Sequence, residues 1–129
     1  MGETAERRRE RRLRYHWPVW FAEDFNVILS QGQMVDVSSG GAAFTCLADR
    51  GCPYAGQRIT ARFSVPHYLP DESLHINDYV RNANVCRIDH LPNGFRRVAV
   101  RFYDPLPFRP GEQPWLPSNC EEKFEPATA

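Results

Sequence analysis

The amino-acid sequence predicts an all-β domain of six or seven short antiparallel strands, arranged as a barrel or a sandwich. Apolar and polar residues alternate in several short stretches, which is the period of a half-buried strand. Residues that favour turns separate these stretches about every eight to twelve positions, and no long segment has the helical period. A barrel would also remove the exposed strand edges that so short a chain has little means of covering.

The first strand follows a run of arginines and shows the clearest alternation. Its predicted inward face carries Leu13, Tyr15, Trp17, Val19 and Phe21. Its opposite face carries Arg14, His16, Pro18 and Trp20. Because proline has no amide hydrogen, Pro18 indicates either an edge strand or a point where no ladder donor is required.

The later strands repeat this alternation between turn signals. We predict them at residues 25–29, 34–37, 42–47, 59–65, 74–80, 83–88 and 95–103. A loop is expected over residues 66–72. Residues 92–94, with the sequence Pro-Asn-Gly, predict a hairpin turn because Asn and Gly adopt positive φ angles at low cost.

Prolines become frequent after residue 103, which changes the expected structure. They stand at positions 105, 107, 110, 114, 117 and 126. Since proline excludes long helices and central strands, we expect residues 104–129 to form an irregular tail that packs through Phe108 and Trp115, with a short helix near residues 119–124. The predicted organisation is a flexible Arg-rich arm (1–12), a β-barrel (13–103) and this tail.

Composition argues against several classes of protein. No apolar run reaches the roughly eighteen residues that a spanning helix needs, and no apolar stretch follows the N-terminal charges, so we expect neither membrane insertion nor a signal peptide. The four cysteines lack the close spacing of a disulfide framework or a zinc site, which favours free thiols in a cytoplasmic protein without a metal or cofactor. Asp36 and Ser38 have no neighbouring His or Lys to activate them, so we expect no enzymatic activity.

The basic residues are unevenly distributed and are nearly all arginine. Residues 1–14 contain six Arg and three Glu, a net charge of +3, whereas the remainder has ten basic and thirteen acidic residues, a net charge of −3. Fifteen of the sixteen basic residues are Arg, whose planar guanidinium pairs with phosphates and guanine edges and stacks on flat rings. This bias indicates an anionic, flat ligand. Taken alone, the arm is also compatible with a solvated charge run or with nucleic-acid binding.

Two short motifs narrow the hypothesis. Arg8 and Arg12 form an R-x-x-x-R pair immediately before the first strand. Asp36, Ser38 and Gly41 form a D-x-S-x-x-G motif at a strand end, beginning twenty-four residues after Arg12. This second motif is compatible with a simple turn. It can also present an acceptor and a hydroxyl on one face beside a glycine that admits close approach.

The two motifs together, their spacing and the strand pattern resemble the PilZ domain family over roughly residues 6–103. The resemblance implies a six-stranded β-barrel that binds the messenger cyclic di-GMP. Arg8 and Arg12 would hold guanine edges and phosphates from the arm, Asp36 and Ser38 would contact guanine, and Gly41 would keep the approach clear. Guanine suits these groups, because its N7 and O6 accept from an arginine fork and its N1–H and N2–H donate to a carboxylate.

The residues of the arm leave the register and the stoichiometry of the ligand site open. Arg7 and Arg11 form a second R-x-x-x-R pair; the register with Arg12 is preferred because Arg12 directly precedes the strand. Arg7 then stands just before the Arg8–Arg12 pair. In the PilZ family, which the sequence resembles, an arginine at that position tends to accompany binding of two stacked ligand molecules rather than one. The predicted receptor would change the conformation of its arm on binding and signal to an effector protein that the sequence does not identify.

Two other functions remain as alternatives. A nucleic-acid-binding barrel could track phosphates with the arm and stack bases on Tyr15, Trp17 or Trp20, but residues 15–129 are net acidic, which makes nucleic acid an unlikely partner. A ligand-free scaffold of the same fold would act through protein contacts alone, and would not need the two motifs.

Overall fold

The computed structural model describes residues 10–24, 29–71 and 73–116. Arg7 and Arg8, most of the strand expected at residues 25–29 and the helix expected near residues 119–124 lie outside these ranges. The described chain forms seven strands: β1 (Leu13–Arg14), β2 (Pro18–Ala22), β3 (Ser30–Val37), β4 (Gly41–Leu47), β5 (Arg58–Tyr68), β6 (Leu74–His90) and β7 (Phe95–Phe102). Two short 3₁₀ turns cover Pro92–Gly94 and Pro110–Glu112.

The strands close into an antiparallel barrel, which confirms the predicted fold class. Their order is β1-β3-β2-β5-β6-β7-β4, and β4 pairs back to β3 to complete a ring of six. The seventh strand, β1, is a two-residue addition on β3. Closure leaves each of the six ring strands with two neighbours along part of its length, which reduces the unpaired edge.

The inward face of the first stretch was predicted correctly. Leu13, Tyr15, Val19 and Phe21 are at most 2% exposed, and Trp17 packs against the core. β1 and β2 are two ends of one extended stretch, because backbone bonds join Tyr15 N–H to Val35 O (3.1 Å) and Met34 N–H to Trp17 O (2.6 Å) between them. The alternation in the sequence therefore continues through residues that belong to neither strand.

One prediction in the middle of the chain was wrong. The strands expected at residues 74–80 and 83–88 are a single seventeen-residue strand, β6. The loop expected to begin at Pro66 also belongs partly to β5, where Pro66 pairs with Ile76. Proline is tolerated there because the backbone of Pro66 faces away from β6, where its carbonyl accepts a hydrogen bond from the Gln113 side chain (3.0 Å).

A β-bulge in β3 determines which residues face outward near the D-x-S-x-x-G motif. The register against β4 shifts between Met34 and Asp36, so Val35 is the extra residue. Met34 and Val37, three positions apart, are therefore both in the core at 1% and 0% exposure. Without the shift, Asp36 would share the inward face of Met34.

The tail is irregular but firmly packed over residues 104–116. Leu106 is buried, and Phe108 stacks on His67 with ring centroids 4.9 Å apart. Gln113 acts as a substitute strand residue: its amide donates to Pro66 O (3.0 Å) and accepts from Tyr68 N–H (2.8 Å) at the edge of β5. Packing through Phe108 is confirmed, but Trp115 is 53% exposed, so its predicted packing was wrong.

Two searches of the described residues bear on membrane and metal binding. None of the helices there has the length and apolar character required to cross a bilayer. Nor do those residues bring three or more His, Cys, Asp or Glu side chains together in a way that could hold a metal ion.

Candidate ligand site at the D-x-S-x-x-G motif

A row of outward-facing residues crosses four neighbouring strands beside the bulge. The paired positions run from Asp36 on β3 to Ala43 on β4, Ala99 on β7 and Arg87 on β6. Neighbouring strands are about 4.8 Å apart, so the two small alanine side chains lie between Asp36 at one end and Arg87 at the other. Ala43 is only 3% exposed, whereas Ala99 is half-buried and can contact a ligand.

Asp36 is held between two guanidinium groups. Its Oδ1 accepts from Arg12 Nε at 2.9 Å, and its Oδ2 accepts from Arg97 Nη2 at 3.2 Å. The Asp36 side chain is 10% exposed, whereas those of Arg12 and Arg97 are 44% and 36% exposed. Both guanidinium groups that hold the carboxylate are therefore accessible to an anion.

The loop of the motif is closed by its own backbone. Ser38 N–H donates to Gly41 O at 2.8 Å, and the Ser38 hydroxyl also reaches this oxygen at 3.3 Å. Gly41 is buried against β7, because a Cβ at this position would lie 2.4 Å from Val100 O. The observed reason for this glycine is therefore close contact between strands.

Glu10, inside the R-x-x-x-R segment, binds the same loop. One carboxylate oxygen accepts from Ser39 N–H at 2.7 Å and the other accepts from the Ser39 hydroxyl at 2.7 Å. The arm is thus attached to the loop by an acidic residue two positions before Arg12. This contact places the Arg12 guanidinium within reach of Asp36.

The tail also contacts the arm. Arg11 N–H donates to Glu112 Oε2 at 2.8 Å, and this bond is the main cause that lowers the pKa of the Glu112 carboxyl below its usual range. Gly111 lies so close to the arm that a Cβ would be 2.3 Å from Arg11 O. The 3₁₀ turn at Pro110–Glu112 therefore adjoins the backbone immediately before Arg12.

The structure brings together four of the six residues proposed from the sequence: Arg12, Asp36, Ser38 and Gly41. The other two, Arg7 and Arg8, lie outside the described residues. Three further residues contact the candidate site residues or the arm and were not predicted from the sequence: Arg97, Glu10 and Glu112. The alternation of β7 indicates that Arg97 faces outward, but its pairing with Asp36 depends on strand order.

Comparison with known proteins identifies the family. The family model described as the PilZ domain matches residues 6–113, which is most of the chain. The chain therefore belongs to the PilZ domain family. No curated protein matches the sequence.

Two of the similar solved structures share the fold at low sequence identity. Bacillus subtilis MotI/DgrA, an inhibitor of motility, is 18% identical with a TM-score of 0.58; the match covers 91% of this chain and 47% of that protein, so this chain spans about half of its length. The PilZ domain of Escherichia coli YcgR, solved with c-di-GMP, is 13% identical with a TM-score of 0.50, covering 92% and 86% of the two chains. The PilZ domain of CeSA from a cellulose-synthesizing bacterium is 21% identical with a TM-score of 0.46, covering 71% and 79%.

Proposed function

We propose that this protein is a receptor for cyclic di-GMP, and that it binds the messenger at the surface around Asp36. The observation that carries the proposal is the Asp36 carboxylate held between Arg12 and Arg97 beside the motif loop of a PilZ barrel. The c-di-GMP present in the structurally similar YcgR domain supports the same choice of ligand.

The chemistry of the cluster suits guanine and phosphate together. A carboxylate has about four lone-pair sites, and Arg12 and Arg97 use two of those on Asp36, so acceptors remain for guanine N1–H and N2–H. The guanidinium groups can turn toward O6, N7 or phosphate oxygens. We propose that the half-buried Ala99 contacts the guanine ring, and that Arg7 and Arg8 contribute from the arm, as their motif positions imply.

The arm would respond to the ligand at its N-terminal end. Contacts to Ser39 and Glu112 already hold residues 10–11 on the barrel. We therefore propose that the conformational change predicted for residues 1–12 takes place before Glu10, and that an effector protein recognises the changed surface. In this proposal the protein acts in the cytoplasm and has a receptor's role, without catalysis.

Calorimetric titration with cyclic di-GMP tests the proposal. Loss of charged hydrogen bonds is worth about 1.5–3 kcal/mol, so Arg12→Ala and Arg97→Ala should each weaken binding about 10- to 100-fold. Arg62→Ala, on the exposed face of β5, is the matched control and should bind like the wild type. Cyclic di-AMP, which lacks the guanine O6 and N2 groups, should bind far more weakly.

Three results would count against this function. No heat with the wild type would favour a ligand-free scaffold. Equal loss of affinity in Arg62→Ala would show only a general charge effect. Binding of a single-stranded oligonucleotide that falls steeply with salt would favour the nucleic-acid alternative. If the wild type binds, the stoichiometry will distinguish one ligand molecule from a stacked pair.

A further inference from the structure

The 3₁₀ turn at Pro110–Glu112 lies against the arm that carries Arg12. We propose that this turn is a positioning element for the ligand site, so that docking of the C-terminal tail and binding of the ligand are energetically coupled. The identity of the ligand rests on the proposed function above, but the mechanical role of the turn can be tested without any ligand.

The turn contacts the arm backbone at two adjacent groups. Glu112 accepts the N–H of Arg11 at 2.8 Å, and Gly111 is buried against the carbonyl of the same residue. Since Arg11 and Arg12 share a peptide bond, holding the Arg11 backbone in place restricts the position of the Arg12 Cα atom, from which the side chain extends. The Arg12 guanidinium then reaches Asp36 at 2.9 Å.

The turn is itself anchored to the barrel through Gln113, which is 8% exposed. The Gln113 amide nitrogen donates to Pro110 O at 2.9 Å and to Pro66 O at 3.0 Å, and its oxygen accepts from Tyr68 N–H at 2.8 Å. A continuous series of contacts therefore links β5, the turn, the arm and Asp36. A series of packed and hydrogen-bonded groups of this kind can carry energetic coupling between its ends.

A second contact limits the size of the expected effect. Glu10 still holds the arm to Ser39 when the turn is released. Loss of the turn should therefore weaken the ligand site rather than abolish it. By reciprocity, a ligand that is bound more tightly when the turn is docked must stabilise the docked turn by the same factor.

Glu112→Ala is the main test, with two matched variants. Glu112→Ala removes the acceptor for Arg11 N–H, and we expect cyclic di-GMP affinity to fall about fivefold or more, the lower end of usual site-to-site coupling. Glu112→Gln keeps an oxygen acceptor and should restore affinity. Arg109→Ala removes only the 3.3 Å ion pair between Arg109 and Glu112 and should leave affinity unchanged.

Amide hydrogen exchange measured by NMR provides the readout that is independent of ligand. In the ligand-free protein, Glu112→Ala should accelerate exchange at the Arg11 amide. In the wild type, saturating cyclic di-GMP should slow exchange at the Glu112 amide, which donates to Arg109 O at 3.0 Å within the turn.

Each contrary outcome has a defined meaning. Unchanged Arg11 exchange in Glu112→Ala would overturn the positioning role, whether or not ligand binds. Faster Arg11 exchange with wild-type ligand affinity would overturn the coupling, as would an equal loss of affinity in Arg109→Ala. If the wild type binds no cyclic di-GMP, the proposed function fails and the coupling falls with it; faster Arg11 exchange would then identify the turn as a structural clamp only.

Discussion

Removal of the Asp36 carboxylate should measurably destabilise the fold, apart from any effect on ligand binding. Charged hydrogen bonds are worth about 1.5–3 kcal/mol each when well shielded. The side chains of Arg12 and Arg97 are 44% and 36% exposed, so water can hydrate both guanidinium groups when Asp36 is replaced. The stabilisation from each contact is therefore closer to the roughly 0.2–1 kcal/mol of a surface ion pair. We therefore expect Asp36→Ala to lower the free energy of unfolding by about 1–2 kcal/mol.

Thermal and urea unfolding, followed by tryptophan fluorescence, will measure this change. For a chain of this length, about 1 kcal/mol corresponds to roughly 4 °C in Tm, so the expected shift is about 4–8 °C. Asp89→Ala is the matched control, since Asp89 pairs with Arg87 at 3.3 Å and their side chains are 41% and 70% exposed. The control should cost less than about 0.5 kcal/mol. An equal loss of stability in Asp36→Ala and Asp89→Ala would show that the partly shielded Asp36 contacts stabilise the fold no more than an exposed ion pair does.

Two further predictions concern strand contact and thiol reactivity. Gly41→Ala should lower Tm strongly in thermal unfolding, because its Cβ would lie 2.4 Å from Val100 O, whereas Gly40→Ala meets nothing within 4 Å and should be nearly neutral; equal effects would contradict the strand-contact role. Burial raises the pKa of the Cys46 thiol to about 12, and the neighbouring Cys52 thiol makes a smaller contribution. At pH 8 a disulfide reagent should therefore label exposed Cys86 quickly and Cys46 only on unfolding; equal rates would contradict this.

Local patterns in the sequence were sufficient for most of the fold. Alternation at residues 13–21 identified the inward face because burial and strand period coincide there. The same reasoning divided β6 at Arg81 and Asn82, whereas the strand runs unbroken from Leu74 to His90. In its first half, the apolar residues Leu74, Ile76 and Val80 are all substantially exposed. Pairing with β5, and not burial, keeps that half extended.

The site was predictable only where its residues are close in sequence. The D-x-S-x-x-G motif is local, so its residues could be named in advance. Arg97 joins Asp36 because β4 lies between β3 and β7, and Glu112 meets Arg11 across 101 positions. Pairings of that kind depend on topology and tail packing, which neither periodicity nor composition encodes.

The bulge at Val35 sets the outward face of β3 by spacing, independently of the chemistry of its residues. Deleting Val35 would make Met34, Asp36 and Val37 consecutive, so they would alternate inward, outward and inward against β4 in the register that they already have. Straightening the strand with Val35 still present would instead turn Asp36 toward the apolar interior and Val37 toward water. The chain could therefore lose this residue, but could not lose the irregularity alone, and still present Asp36 on the outer surface of the barrel.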